Sequence, residues 1–127
     1  MVYLIDDDES VRRALQRLLR SAGLDVRAFA SAEEFLQSGN LSQRACVVLD
    51  IQMRGLTGFG VQERLASKEI RIPTIAVSAL DDAETRERAR MLGAVAFFRK
   101  PVNGQALIDA IHWAMGVNKH KSGPSDS

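Results

Sequence analysis

Apolar residues in this chain fall into short unbroken runs separated by longer stretches with helical spacing. Val2-Tyr3-Leu4-Ile5 is the first run. Val11, Ala14, Leu15, Leu18, Leu19 and Ala22 then recur at steps of three and four, the stripe of an amphipathic helix, and Gly23 stands where such a helix stops. Leu24 to Phe29 alternates apolar with polar or small residues, which predicts a half-exposed edge strand. Ser31 with Glu34 forms a capping box that opens a short helix through Leu36, ending near Gly39. Ala45 to Leu49 is a second unbroken run, as expected of a strand covered on both faces.

A weaker helix is predicted from about Gly58 to Ala66, and a fourth strand over Thr74–Val77, entered through Pro73. Asp82–Leu92 is helical by propensity, with Gly93 as its stop and a thin apolar stripe of Ala83, Ala89 and Met91 or Leu92. Val95–Phe98 is the fifth strand, and Asn103 caps a last helix bearing Leu107, Ala110, Ile111 and Ala114. Residues 1–117 read as one domain, and the polar stretch 118–127 as a flexible tail or the start of a linker.

Five strands alternating with five helices imply a parallel sheet covered on both faces, with right-handed crossovers. In such sheets the ligand crevice lies at the carboxyl ends of the strands, where strand order reverses. The residues that follow the predicted strands are Asp6-Asp7-Asp8-Glu9, then Asp50, then Ser78, then Lys100-Pro101. Each has an ordinary reading on its own. An Asp run is often a turn or cap, and Asp8 and Ser10 fit that role. Asp50 fits a solvated loop residue, Ser78 a cap and Lys100 a surface lysine. Their delivery to one rim by four strands is harder to assign to chance.

The cluster has a definite chemistry. Two carboxylates about 5 Å apart repel by roughly 3 kcal/mol at an effective dielectric near 20, so they stay charged together only beside a cation. Lys100 supplies one positive charge, and a hard divalent ion such as Mg²⁺ supplies two and prefers oxygen ligands. A carboxylate is a competent nucleophile for forming an acyl phosphate. A cation, an ammonium and a hydroxyl aimed at the transferring oxygens are what phosphoryl transfer requires of a protein.

Composition narrows the class. The chain has 127 residues, enough for a single core. Lys plus Arg number 17 against 16 Asp plus Glu, so charge gives no general attraction to nucleic acid or an acidic membrane. The single cysteine, Cys46, excludes a disulfide framework and sits in an apolar run, pointing to a structural thiol in a reducing cytoplasm. No stretch has the length of a membrane-spanning helix, and no signal peptide is evident.

Taken together, Leu4-Ile5-Asp6-Asp7-Asp8, Val48-Leu49-Asp50-Ile51-Gln52-Met53 with Gly58, Ser78-Ala79 and Lys100-Pro101 resemble the receiver domains of two-component response regulators, over residues 2 to about 116. The resemblance implies a flavodoxin-like (βα)5 doubly wound parallel sheet of order 2-1-3-4-5. It implies that Asp50 accepts a phosphoryl group from a sensor histidine kinase. Mg²⁺ (or Mn²⁺) would be held by Asp7, Asp50 and the backbone carbonyl of Gln52, with Asp6 acting through a metal-bound water. Lys100 would contact the phosphoryl oxygens. Ser78 would hydrogen-bond the phosphoryl group and couple it to the following loop, and Phe97 stands at the position of the family's switch aromatic, although it also reads as plain core. The Lys100–Pro101 peptide would be cis.

The same resemblance implies a switch rather than an enzyme, with no chemistry beyond its own phosphorylation and slow dephosphorylation. Independently of the resemblance, the thin apolar stripe of the fourth helix and its place directly after Ser78 make it a weakly anchored element. The fourth helix, fifth strand and fifth helix are therefore expected to form the output face, supporting a phosphorylation-dependent homodimer or an output domain. Asp8-Glu9-Ser10-Val11-Arg12 and Ser31-Ala32-Glu33-Glu34-Phe35-Leu36 are similar to receivers followed by a C-terminal helix-turn-helix, so transcription regulation would run through a DNA-binding domain beyond these residues. The domain itself is expected to touch neither nucleic acid nor membrane. Three positions depart from the family pattern: Arg54 where proline is frequent, Ser78 where threonine is, and Phe97 in place of a tyrosine whose hydroxyl could bond the loop.

Two other readings compete. A small Mg²⁺-dependent aspartyl-phosphate phosphatase would use Asp6 as nucleophile, but such enzymes want Asp-x-Asp-x-Thr or Val. Here the stretch is Asp6-Asp7-Asp8-Glu9-Ser10, with no residues to spare for a cap domain. A flavin- or nucleotide-binding module would need a glycine-rich loop after the first strand, where this chain has acidic residues that repel phosphate.

Overall fold

In the computed structural model, residues 1–38, 44–53, 55, 57–68 and 72–116 are described. Strands and helices alternate along them: β1 (Val2–Ile5), α1 (Glu9–Ser21), β2 (Val26–Phe29), α2 (Ala32–Gln37), β3 (Cys46–Asp50), α3 (Gly58–Ser67), β4 (Thr74–Ser78), α4 (Ala83–Met91), β5 (Ala94–Arg99) and α5 (Gly104–Ala114). The two unbroken apolar runs become β1 and β3 and the strand predicted over Thr74–Val77 becomes β4, each buried along its whole length at the middle of a parallel sheet of order β2-β1-β3-β4-β5. The flavodoxin-like order is the expected one. Val2 pairs with Val26 on one side and Cys46 on the other, and Asp50 pairs with Val77.

Strand parity divides the core into two layers. Leu4, Val48, Ile75 and Phe98 face Leu19 of α1 and Leu107 and Ile111 of α5. Tyr3, Ile5, Val47 and Leu49 face Phe35 of α2 and Val61 and Leu65 of α3. Tyr3, Phe29 and Phe35 form an aromatic trio with centroids 5.5–6.4 Å apart. A smaller cluster of Ile51, Ala76, Ala89 and Phe97 lies under α4.

The departures from expectation have local causes. β2 begins at Val26 rather than Leu24 because α1 ends in a Schellman turn. Gly23 adopts φ +82°, its amide donates to the Arg20 carbonyl, and the Leu24 amide reaches back to Leu19. Ala14 and Ala22 of the α1 stripe are exposed, whereas Leu15 and Leu19 are buried. In α4 only Ala89 is buried, and Ala83 and Met91 face solvent. Gly39, expected to end α2, lies outside the described residues; α2 stops at Gln37 with Ser38 as its cap. The predicted caps form, with the Ser31 hydroxyl accepting from Glu34 N at 3.1 Å and Asn103 Oδ1 from Ala106 N at 3.0 Å. Strands β3 and β4 each run one residue further than their apolar patterns, which places Asp50 and Ser78 on the sheet ladder itself.

Candidate functional site

Asp6 follows β1, its amide bound to the Phe29 carbonyl at 3.2 Å. Its Oδ1 accepts from Asp8 N at 2.9 Å, and Asp8 in turn caps α1 by accepting from Val11 N at 3.2 Å. One turn into α1, Arg12 Nη1 donates to the Asp6 carbonyl at 2.9 Å. On β3, Asp50 Oδ1 accepts from Gln52 N at 3.0 Å, which tightens the turn after the strand. Gly58 then packs against this turn so closely that a Cβ there would lie 2.6 Å from the Asp50 carbonyl oxygen and from Ile51 Cα. Only glycine fits.

Lys100 arrives from the other side. Its amide donates to the Ser78 carbonyl at 2.9 Å, and the Lys100–Pro101 peptide is cis, as expected. Its Nζ lies 3.0 Å from Asp6 Oδ2 and 3.2 Å from Asp50 Oδ2. Ser78 is fully buried, and its Oγ accepts from Leu80 N at 3.0 Å, which orients the loop into α4.

The carboxylates of Asp6, Asp7 and Asp50 each bring an oxygen within 4.8 Å of the others. Asp6 and Asp50 are nearly sealed from water, at 2% and 4% exposure. Burial, and then the charge of Asp6, push the Asp50 carboxyl up to about 6, against the pull of Lys100 and the Gln52 amide. Burial disfavours the charge on Lys100, but the hydrogen bond to Asp6 and the charges of Asp50 and Asp6 outweigh it and hold the ammonium above its usual range. Lys100 offsets one of three negative charges. The donor set, three hard carboxylates gathered at one rim, fits Mg²⁺ or Mn²⁺. A cleft of about 550 Å³, lined by Asp7, Gln52, Met53, Thr57, Leu80 and Thr85, opens beside the carboxylates.

The structure thus brings together Asp6, Asp7, Asp50 and Lys100, with Ser78 on the adjoining strand end. Phe97 stands apart from the acidic group. It is buried at 5% exposure, and the Arg86 guanidinium lies 4.9 Å from its ring centroid. Arg54 lies outside the described residues. Sequence reasoning passed over Arg12, whose partner is a main-chain carbonyl, and gave no physical reason for Gly58.

Comparison with known proteins agrees with this geometry. The family profile described as the response regulator receiver domain matches residues 2–112. The transcriptional regulatory protein TdiR of Thauera aromatica is 39% identical over 118 residues, covering 93% of this chain and 52% of that protein. The crystal structure of a response regulator receiver protein from Burkholderia phymatum is 44% identical with a TM-score of 0.78, covering 91% of this chain and 94% of that one. That of FixJ-N is 30% identical with a TM-score of 0.84, covering 96% of this chain and 95% of that one. The chain spans about half the length of the curated relatives it matches. The phosphatase alternative is not favoured, since the match runs through the whole sheet and all four strand-end motifs. The chain belongs to the response regulator receiver domain family.

Proposed function

We propose that Asp50 is the phosphoryl acceptor of this receiver domain and that a sensor histidine kinase is the donor. The carrying observation is the Lys100 ammonium held 3.2 Å from Asp50 and 3.0 Å from Asp6 at the carboxyl ends of the strands. An Asp50 oxygen forms the new O–P bond as the P–N bond of the donor phosphohistidine breaks. The imidazole nitrogen leaves with the electron pair and takes up a proton. Before transfer, the Asp6 carboxylate and the turn amide of Gln52 hold Lys100 and Asp50 in register. As charge builds on the phosphoryl oxygens, the Lys100 ammonium is in position to bind one of them. Mg²⁺ or Mn²⁺, when bound, neutralises charge on the incoming group. Asp7, Asp50 and the Gln52 carbonyl would hold it, and Asp6 would reach it through a water. Slow hydrolysis by water, breaking the same O–P bond, resets the switch.

Ser78 links this chemistry to the rest of the domain. Its hydroxyl now accepts from Leu80 N, and turning toward a phosphoryl oxygen releases that amide and with it the loop into α4. Phe97, on β5 beside the Ser78 strand, is the aromatic that follows. Residues 1–117 act as the switch, and an output domain that binds DNA follows, consistent with longer relatives that are transcriptional regulators. A phosphorylation-dependent homodimer through α4, β5 and α5 is the means of output. No helix among the described residues is long and apolar enough to cross a membrane, and we place the domain in the cytoplasm, without direct contact to nucleic acid.

Titration with beryllofluoride and Mg²⁺ followed by NMR tests this reading. Shifts should centre on residues 50–53, 78–80 and 97, with no turnover of small phosphate esters. Turnover of such esters that survives Asp50→Asn would support the phosphatase instead.

A further inference from the structure

Helix α4 is held at its C-terminal end by a residue of another helix. Gln62, on α3, is 2% exposed and places Nε2 3.0 Å from the Ala89 carbonyl oxygen. Carbonyls in the last turn of a helix lack a partner within it, and Ala89 is fully buried, so its carbonyl has no recourse to water. The Gly93 amide, which would extend the ladder back to Ala89, donates instead to the Arg90 carbonyl at 3.0 Å, with Gly93 in the left-handed region at φ +106°. The Gln62 carboxamide supplies the bond that the helix itself does not make.

Its other atom is a liability. Gln62 Oε1 is buried with no hydrogen-bond partner among the described residues. Sealing an unsatisfied oxygen costs about as much as one good hydrogen bond contributes, or more. Leucine, of similar volume, would exchange the stranded Oε1 for a stranded Ala89 carbonyl and offset the lost hydrogen bond with apolar burial, so stability alone gives little reason for an amide here. What the amide does supply is location. Ala89 packs against Ile51, which follows Asp50, and against Phe97. No side chain of α4 before Ala89 is buried, and that half of the helix is held by an Asp82 cap and by Arg86, which pairs with Asp81 and stacks on Phe97.

We propose that Gln62 is a positioning residue that fixes the last turn of α4, so that the helix answers events at Asp50 by tilting about Ala89. Residues 79–86 move and residues 89–93 stay in place. The pivot rests on the phosphoacceptor reading above; the clamp in the free protein does not.

Amide hydrogen exchange of the wild type, Gln62→Leu and Gln62→Met, each with and without beryllofluoride and Mg²⁺, tests both. In the free proteins both variants should melt within a few degrees of wild type while amides 89–93 exchange at least about tenfold faster. With beryllofluoride, wild-type changes should fall at 79–86 and spare 89–93, whereas in the variants they should spread through 93. Wild-type protection at 89–93 in both variants overturns the proposal. So does a wild-type response as large at 89–93 as at 79–86, and so does a large loss of melting temperature in both variants, which would make the amide an ordinary core element. A wild type that shows no beryllofluoride response even at 50–58 overturns the phosphoacceptor reading and the pivot with it. A wild-type response at 50–58 with none at 79–86 overturns the pivot alone.

Discussion

Lys100 spans two strand ends, with its Nζ 3.0 Å from Asp6 and 3.2 Å from Asp50. It is the cation that lets two nearly sealed carboxylates stay close together. Lys100→Met should therefore cost the metal-free protein up to about 3 kcal/mol, because removing one partner leaves buried charge uncompensated. The same change should tighten Mg²⁺ binding, since a competing positive charge is gone, while slowing phosphorylation by acetyl phosphate at least tenfold. Urea unfolding with and without Mg²⁺, beside a phosphorylation time course, separates the effects. A variant with wild-type stability and wild-type rate would contradict this role.

Asp50 makes the metal-free fold sensitive to pH. Its carboxyl keeps a proton up to about 6 in the folded state, against an ordinary value of 3.8. Between those values the folded protein binds more protons than the unfolded chain, so its stability falls as pH rises through that window. Asp50→Asn should remove this slope and be more stable than wild type at pH 7.5 by about 1–2 kcal/mol. Excess Mg²⁺ should narrow the gap. Denaturation curves at pH 5 and 7.5 in chelator give the comparison, and an Asp50→Asn protein less stable than wild type at pH 7.5 would count against the crowding of carboxylates.

Asp7 belongs to the carboxylate group while lying nearer solvent than Asp6. Asp7→Ala should weaken Mg²⁺ binding at least tenfold and leave the fold as stable or slightly more so, because repulsion is relieved. Calorimetric Mg²⁺ titration is the check. An unchanged dissociation constant would place the ion elsewhere.

Gly58 closes the turn behind Asp50. Gly58→Ala brings a Cβ within 2.6 Å of backbone atoms that cannot swing aside. The variant should lose about 1–3 kcal/mol through overpacking and phosphorylate more slowly, because relief of the clash displaces Asp50. If melting temperature and labelling rate are both those of wild type, the close approach does not constrain the site.

Much of the fold was legible because two of the three central strands carry unbroken apolar runs, the pattern expected of burial on both faces. The start of β2 was not, since Leu24 continues the alternation although the Schellman turn at Gly23 keeps it off the ladder. The stripe of α4 was misread for a different reason. Met91 is 71% exposed, and two guanidiniums make the contacts that apolar residues were expected to make: Arg86 lies over Phe97, and Arg88 sits 4.2 Å from the Phe59 ring centroid. A pattern of apolar residues does not register a cation on an aromatic face.

The site was more legible than the fold around it. Asp6, Asp50 and Ser78 are polar residues placed directly where strand runs end, Lys100 follows the last run after Arg99, and strand topology requires those ends to meet. Arg12 and Gln62 bind main-chain carbonyls, which leave no mark in the sequence. Gln62 did carry one signal. It shares the buried face of α3 with Gly58, Val61 and Leu65, and a polar side chain on such a face needs a partner.

The most direct measurement is the mass of the intact protein after incubation with acetyl phosphate and Mg²⁺. Wild type should gain a single phosphoryl group that maps to Asp50 and is lost on hydrolysis, and Asp50→Asn should gain none. Labelling of Asp50→Asn to the wild-type extent would contradict the assignment of Asp50 as the acceptor.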